Sequence, residues 1–233
     1  MESLRDKIAI VTGGSKGIGK AIAHALARQG MRVMLAARSV KDLDATVAEF
    51  TKEGLKVSGR KTDIAVEEDV KALVGGVVKD WGGIDILVNN AGMGVFKPVA
   101  EMDVTDFDRM WQVNMRGVFL ATKAVLPHMI RAETGAIVNI ASLAGKNSFK
   151  GGAGYCATKW AIEGLTRAMA AELPSGMAAV PVIPGFIDTE MLRSCFGADA
   201  ANYPDPAAWA AKAVPFLLSL GPKDNGKPME VPE

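Results

Sequence analysis

The sequence predicts an α/β fold: a mostly parallel, doubly wound sheet with helices on both faces. Three observations carry that expectation. Short β-branched runs alternate with helical stretches along most of the chain. A glycine-rich turn, Thr12-Gly-Gly-Ser-Lys-Gly-Ile-Gly19, joins the first such run to the first helix. The chain has 233 residues and 49% hydrophobic content, which suits one domain with a large core. Regular strand–helix alternation favours parallel pairing, because each helix carries the chain back over the sheet.

The elements follow in order. A buried strand is read at residues 8–12, then a helix over 19–29 stopped by Gly30. A strand over 32–37 precedes a helix over 43–53 ended by Gly54. The third strand is read at 56–62, the next helix at 67–81 and the fourth strand at 84–89. One long helix is expected over 107–131. A fifth strand over 135–141 leads to a helix over 155–172 and a sixth strand over 178–183. The C-terminal fifth reads differently. Residues 188–203 have little sheet character, and 206–220 read as a helix with an internal Pro215. The tail, 227–233, allows only a short edge strand because of its two prolines. Six to seven strands result, in a single domain spanning 1–233 without repeats or linkers.

Composition narrows the function classes. A net charge of +1 provides no field to gather nucleic acid or a membrane surface. Two cysteines and two histidines make neither a disulfide framework nor a metal set, so no metal is expected. Residues 1–7 lack a signal-peptide apolar core, and no apolar run approaches a bilayer span. A cytoplasmic, reducing setting is expected.

Glycines in the turn let phosphate approach the backbone closely, and the helix behind them offers free N–H groups and a favourable dipole. The spacing is G-x-x-x-G-x-G, not G-x-G-x-x-G. Gly13 to Gly17 also matches the hydrolase elbow G-x-S-x-G, but that chemistry needs a late histidine, and the last is His128. Gly14 to Ala21 nearly matches a triphosphate loop, but Ala21 stands where a magnesium-binding hydroxyl is required. A dinucleotide site is the better reading.

Tyr155 and Lys159, thirteen and seventeen residues after Ser142, form the second constellation. Four residues apart on a helix, they project about 40° apart around the axis. An ammonium held there favours phenolate over phenol. Bringing a tyrosine from about 10 to about 7 takes roughly 4 kcal/mol of differential interaction.

The glycine turn, Asn89-Asn-Ala-Gly92, Ser142 and Tyr155-x-x-x-Lys159 together resemble the short-chain dehydrogenase/reductase family, over roughly residues 5–195. The resemblance implies a Rossmann-type domain and reversible hydride transfer between a nicotinamide cofactor and a ketone, aldehyde or secondary alcohol. It implies that Tyr155 is general acid/base and that Ser142 bonds the reacting oxygen. Lys159 would lower the Tyr155 pKa and bind ribose hydroxyls. Asn114, 28 residues before Ser142, would hold a water linking Lys159 to solvent. Gly13, Ser15, Lys16, Gly17, Ile18 and Gly19 would meet the diphosphate. Asn90, Ala91 and Gly92 would floor the adenosine side, and Asp63 would contact adenine unless it merely caps the helix beginning near Glu67. Pro184, Gly185, Ile187 and Thr189 would lie along the nicotinamide end.

Cofactor choice follows from charge. Dinucleotide sites for NAD usually place an acid after the second strand, where this chain has Ala37 followed by Arg38. Arg38 and Lys16 suit a dianionic 2′-phosphate, so NADP(H) is expected. A substrate-covering segment is read at 186–205. Phe186, Met191, Leu192 and Phe196, with Met93, Val95 and Phe149, suggest a moderately apolar pocket for a small carbonyl or alcohol. A 3-oxoacyl-(acyl-carrier-protein) substrate is the alternative. So is a non-catalytic NADPH-binding sensor on the same fold, or a dehydratase or epimerase using the same loop. Trp111, Trp160 and Trp209 read as packing or interface residues. A homotetramer is expected, with a dimer as fallback because the tail lacks the family's usual glycine.

Overall fold

Seven strands pair in parallel into one sheet in the computed structural model, which describes residues 4–232. Residues 1–3 and Glu233, parts of the N-terminal and tail readings, lie outside the described residues. The strands are β1 (Ile8–Thr12), β2 (Arg32–Ala37), β3 (Val57–Lys61), β4 (Ile86–Asn89), β5 (Gly135–Ile140), β6 (Met177–Ile183) and β7 (Met229–Glu230). Their order is β3-β2-β1-β4-β5-β6-β7. The chain therefore winds outward from β1 to β3, returns to the middle, and winds outward again from β4. That reversal leaves a crevice beyond the carboxyl ends of β1 and β4, where open parallel sheets bind ligands.

The helices are α1 (Gly17–Arg28), α2 (Val40–Lys52), α3 (Glu67–Trp81), α4 (Val104–Trp111), α5 (Gly117–Ala132), α6 (Ala153–Ala170), α7 (Glu190–Phe196) and α8 (Pro206–Ser219). Alternation along β1 divides the core. Ala9 and Val11 pack with Ile22, Leu26, Phe50 and Leu217 of α1, α2 and α8. Ile8 and Ile10 face the other way, toward Leu73, Val77, Val125 and Met129 of α3 and α5. The period of two along a strand produces this two-layered burial.

Most element readings stand within a few residues, and two differ informatively. The expected helix over 107–131 is α4 and α5 joined by a π-helical turn, Gln112–Arg116. Pro127 sits inside α5 without ending it. The 188–203 stretch contains α7, capped by Thr189, whose hydroxyl accepts from the Leu192 amide. No residue of α7 is buried, so it has no apolar period to betray it. The tail forms the expected short edge strand, pairing two residues with β6.

Candidate active site

The crevice is a cleft of about 1500 Å³. At one end lies the β1–α1 turn. Gly13 has φ +66°, and a Cβ there would come within 2.9 Å of the Ala91 Cα. A Cβ on Gly19 would come within 2.3 Å of both Gly13 O and Asn90 Nδ2. Asn90 Nδ2 donates to the carbonyls of Thr12 (3.0 Å) and Gly13 (3.3 Å), and Thr12 Oγ1 accepts from the Asn90 and Ala91 amides. The turn is thus stitched to the end of β4. Lys16 at the N-cap of α1 is extended and supplies no side-chain cap, so no side chain takes the free N–H groups that open the helix.

Past β2, the cleft wall carries Arg38 and Lys16 together with Asp42. Lys16 Nζ lies 3.2 Å from Asp42 Oδ2. A side-chain hydrogen bond from Ser39, then the Lys16 ammonium, holds the Asp42 carboxyl below its usual range. Asp63 is not a cap: Val66 is the N-cap of α3. Its carboxylate accepts from Arg109 (2.7 Å) and from the Ala65 amide (3.0 Å). Burial pushes the Asp63 pKa up, but these bonds outweigh it and the net shift is downward.

The reactive end gathers Ser142, Tyr155 and Lys159. Ser142 follows β5 and starts a short 3₁₀ turn, its hydroxyl accepting from the Ala144 amide at 3.2 Å. Tyr155 and Lys159 project from α6, with the Lys159 Nζ 5.7 Å from the Tyr155 ring centroid. Lys159 is buried and donates to the Ile140 carbonyl at 2.8 Å. Burial lowers its pKa to about 8. Enclosure by protein pushes the Tyr155 pKa up to about 12, partly opposed by a hydrogen bond with Ser142. The expected lowering of the phenol by Lys159 is therefore not found in this geometry, because the ammonium is drawn to a backbone carbonyl and the phenol is desolvated.

Asn114 is buried in the π turn and is not among the residues that line the cleft. Its side chain accepts from the Met93 amide and donates to the Met93 carbonyl and to Thr158 Oγ1, at 2.8, 2.8 and 3.0 Å. Thr158 in turn donates to the Tyr155 carbonyl at 2.7 Å. The Asn114 amide thus ties the strand after β4 to the helix that carries the reactive pair.

The model of the short chain dehydrogenase family matches residues 7–199. The chain belongs to this family. It is 40% identical over 226 residues to an NADPH-dependent pterin aldehyde reductase of Arabidopsis thaliana, covering 95% of this chain and 92% of that protein. It is 39% identical over 196 residues to a 3-oxoacyl-[acyl-carrier-protein] reductase of Synechocystis, covering 83% and 79%. Among solved structures, a single-residue variant of an actinorhodin polyketide ketoreductase with NADPH superposes with TM-score 0.89 at 30% identity, covering 99% of this chain and 97% of that one.

As a short-chain dehydrogenase, the chain brings most of its sequence-predicted residues to one cleft. Gly13, Ser15, Lys16, Gly17, Ile18, Arg38, Asp63, Asn90, Ala91, Gly92, Ser142, Tyr155, Lys159, Pro184, Gly185, Ile187 and Thr189 line it. Gly19 does not: it is buried behind the turn against Asn90. Met93 and Val95 do not line it either, because the backbone clamp on Asn114 directs Met93 into the α3–α5 side of the core. Sequence reasoning missed Asp42, Phe96, Asn147 and Cys195, all of which line the cleft. Phe96, four residues past Gly92, was legible as an aromatic beside the Asn-Asn-Ala-Gly string. Trp209 is buried and donates to the Pro184 carbonyl at 2.9 Å, holding the loop after β6. Among the described residues, no cluster of three or more His, Cys, Asp or Glu is placed to hold a metal. No helix there is long and apolar enough to cross a membrane.

Proposed function

We propose that this oxidoreductase is an NADP(H)-dependent carbonyl reductase acting reversibly on a moderately apolar ketone, aldehyde or secondary alcohol. The observation that carries it is the convergence of Ser142, Tyr155 and Lys159 on the same cleft as the glycine turn and Arg38. The turn fits a diphosphate, because the N-terminus of α1 has no side-chain cap and Gly17 at its start puts no side chain into the cleft. Lys16 and Arg38 suit a 2′-phosphate, and no acid stands at the end of β2. Asp63, oriented by Arg109, would contact adenine, and Pro184, Gly185, Ile187 and Thr189 would flank the nicotinamide.

When bound, NADPH supplies the hydride. The chain's own residues manage the oxygen. Ser142 donates a hydrogen bond to it as negative charge develops. Tyr155, neutral at physiological pH with its pKa near 12, delivers the proton. Lys159, which lines the cleft beside Tyr155, would meet ribose hydroxyls. Asn114 holds α6 in register through Thr158. The 186–205 segment, with α7 at its centre, covers the substrate. The two free thiols, Cys156 buried and Cys195 exposed, suit a reducing cytoplasm. Self-association through α4, α5 and α6, most simply as a tetramer, completes the reading.

Tyr155→Phe tests it. Turnover should fall by about 10²–10⁴-fold while NADPH still binds. Unchanged turnover removes the catalytic assignment. A protein with no turnover on any carbonyl, but tight NADPH binding, is instead the non-catalytic sensor. The second enzymatic reading, reduction of a 3-oxoacyl-carrier substrate, is favoured by the Synechocystis relative. A panel of aldehydes, ketones and 3-oxoacyl thioesters with each cofactor separates the two, and equal efficiency with NADH removes the Arg38 argument.

A further inference from the structure

Both tyrosines and four of the eight phenylalanines collect at the substrate end of the cleft. They form two groups. In the first, Phe96 lies edge-on to Tyr155 with centroids 5.4 Å apart, and tilts against Phe149 at 5.8 Å. In the second, Phe186 contacts Phe196 at 5.6 Å and Tyr203 at 5.1 Å, and Phe196 meets Tyr203 edge-on at 6.3 Å. Phe149, Phe186 and Phe196 are 47%, 41% and 44% exposed, yet all three line the cleft. Such exposure of large aromatics costs solvation unless a ligand covers them.

Phe96, Phe149, Phe186 and Phe196 all line the one cleft that holds Ser142, Tyr155 and Lys159. The first group contains the proton-donating phenol itself. The second is borne by the segment around α7, whose Met191, Leu192, Cys195 and Phe196 line the same cleft. The second wall is held in place internally. The Asp188 amide donates to the Pro204 carbonyl at 2.9 Å, closing the segment that bears the second group. Arg193 forks onto Asp188 at 2.6 and 2.7 Å, fixing α7 on that loop. Rings locked by edge contacts lose little freedom when a further ring joins them.

The polar groups at this end fit a planar, largely neutral guest. Asn147 and Ser148 on one rim and Ser194 on the other offer hydrogen bonds to ring heteroatoms or hydroxyls. Lys150 and Glu190 place opposite charges there, so no concentrated positive charge awaits a phosphorylated carrier arm.

From this arrangement we infer that the substrate is a planar aromatic or heteroaromatic aldehyde or ketone, its ring held between Phe149 of one wall and Phe196 of the other. The inference rests on the carbonyl-reductase reading and specifies its substrate class. Conjugation makes an aryl aldehyde intrinsically less electrophilic than a saturated one. A preference for the aryl compound therefore reports the pocket, not the chemistry.

The experiment compares benzaldehyde and 2-naphthaldehyde with cyclohexanecarboxaldehyde and decanal under NADPH. It also measures the inhibition constants of benzyl alcohol and cyclohexylmethanol. The aryl aldehydes are expected to show about tenfold higher kcat/KM than the saturated ones, and benzyl alcohol to bind tighter by a similar factor. Phe149→Leu and Phe196→Leu should each shrink the aryl-to-saturated ratio by about threefold. Both side chains are half-exposed, so these variants should fold, which circular dichroism checks. Equal efficiency for aryl and saturated aldehydes, or ratios unmoved in both variants, overturns the inference while leaving carbonyl reduction intact. Failure to reduce any carbonyl overturns the underlying reading instead. In that case saturation-transfer NMR with benzyl alcohol against cyclohexylmethanol still shows whether the aromatic walls select an aromatic ring, and equal saturation of the two overturns the inference by itself.

Discussion

Lys159 is a buried ammonium with one backbone acceptor, and its pKa of about 8 is a statement about stability. The folded value lies below the unfolded one of about 10.5, so between those pH values the unfolded chain binds more protons. The wild type must gain stability as pH rises from about 8 to about 10.5, having borne the full cost of burying the charge below that window. Denaturant unfolding should show wild type gaining up to about 3 kcal/mol relative to Lys159→Met across the window. Parallel pH curves for the two proteins would show that the ammonium is not desolvated as drawn. Asp42 supports a second prediction. Its carboxylate engages Lys16 and stands where a 2′-phosphate dianion would arrive. Asp42→Asn frees the lysine and removes a repulsion, so NADPH should bind about 3–10-fold tighter at low salt with NADH little changed. Fluorescence titration at low and high salt checks it, and the gain should fade with added salt. These two residues mark what was legible. The Tyr155–Lys159 spacing was readable because a helix fixes which side chains share a face. That the ammonium turns to Ile140 was not, because its acceptor is a backbone atom nineteen residues away. Asp42 was hidden in an ordinary amphipathic helix.

At the scale of elements, sheet and helices were written in apolar periodicity, and the exceptions have local causes. The π turn at Gln112–Arg116 leaves the hydrophobic pattern of α4 and α5 almost unaltered, so periodicity could not show it. It places Asn114 against the Met93 backbone. A second polar network joins the central strands to the helices over them. Asn139 on β5 is fully buried, accepts from Asn89 of β4 at 2.8 Å and donates to Thr166 of α6 at 2.8 Å. Asn89 also donates to Thr122 of α5 at 3.2 Å. Truncating the central member leaves buried donors and acceptors without partners and a small cavity. Asn139→Ala should lower unfolding free energy by about 2–4 kcal/mol, measured by urea denaturation. A cost below about 1 kcal/mol would show that water replaces the amide. Neither asparagine announced this in the sequence: Asn89 reads as part of a ligand-binding string, and Asn139 as a polar interruption in a strand.

The whole molecule leaves one face unfinished. Val104 and Phe107 on α4, Phe119 on α5 and Trp160 on α6 are 73%, 38%, 49% and 56% exposed. On the same helices, Trp111 Nε1 and both oxygens of Glu163 are buried without a hydrogen bond. Burial also raises the Glu163 pKa, against the opposing pull of Arg167 and Lys146. Exposed aromatics on these neighbouring helices describe a surface that gains from meeting a second copy, which can cover them. The sequence pointed to these helices through its tryptophans, but it could not say which of them remain outside: Trp209 is buried in the core and Trp160 is not. Light scattering coupled to size exclusion should return a multiple of the 24.5 kDa chain mass at micromolar concentration. Trp160→Glu places a charge at the centre of the proposed contact and should move the protein toward the monomer, with its circular dichroism unchanged, because the side chain is more than half exposed. A wild-type monomer at 24.5 kDa across the concentration range rules out this assembly. A Trp160→Glu variant that keeps the full oligomer moves the contact away from α6. In either case, activity measured alongside mass shows whether α6 needs a neighbour to hold Tyr155 and Lys159 in place.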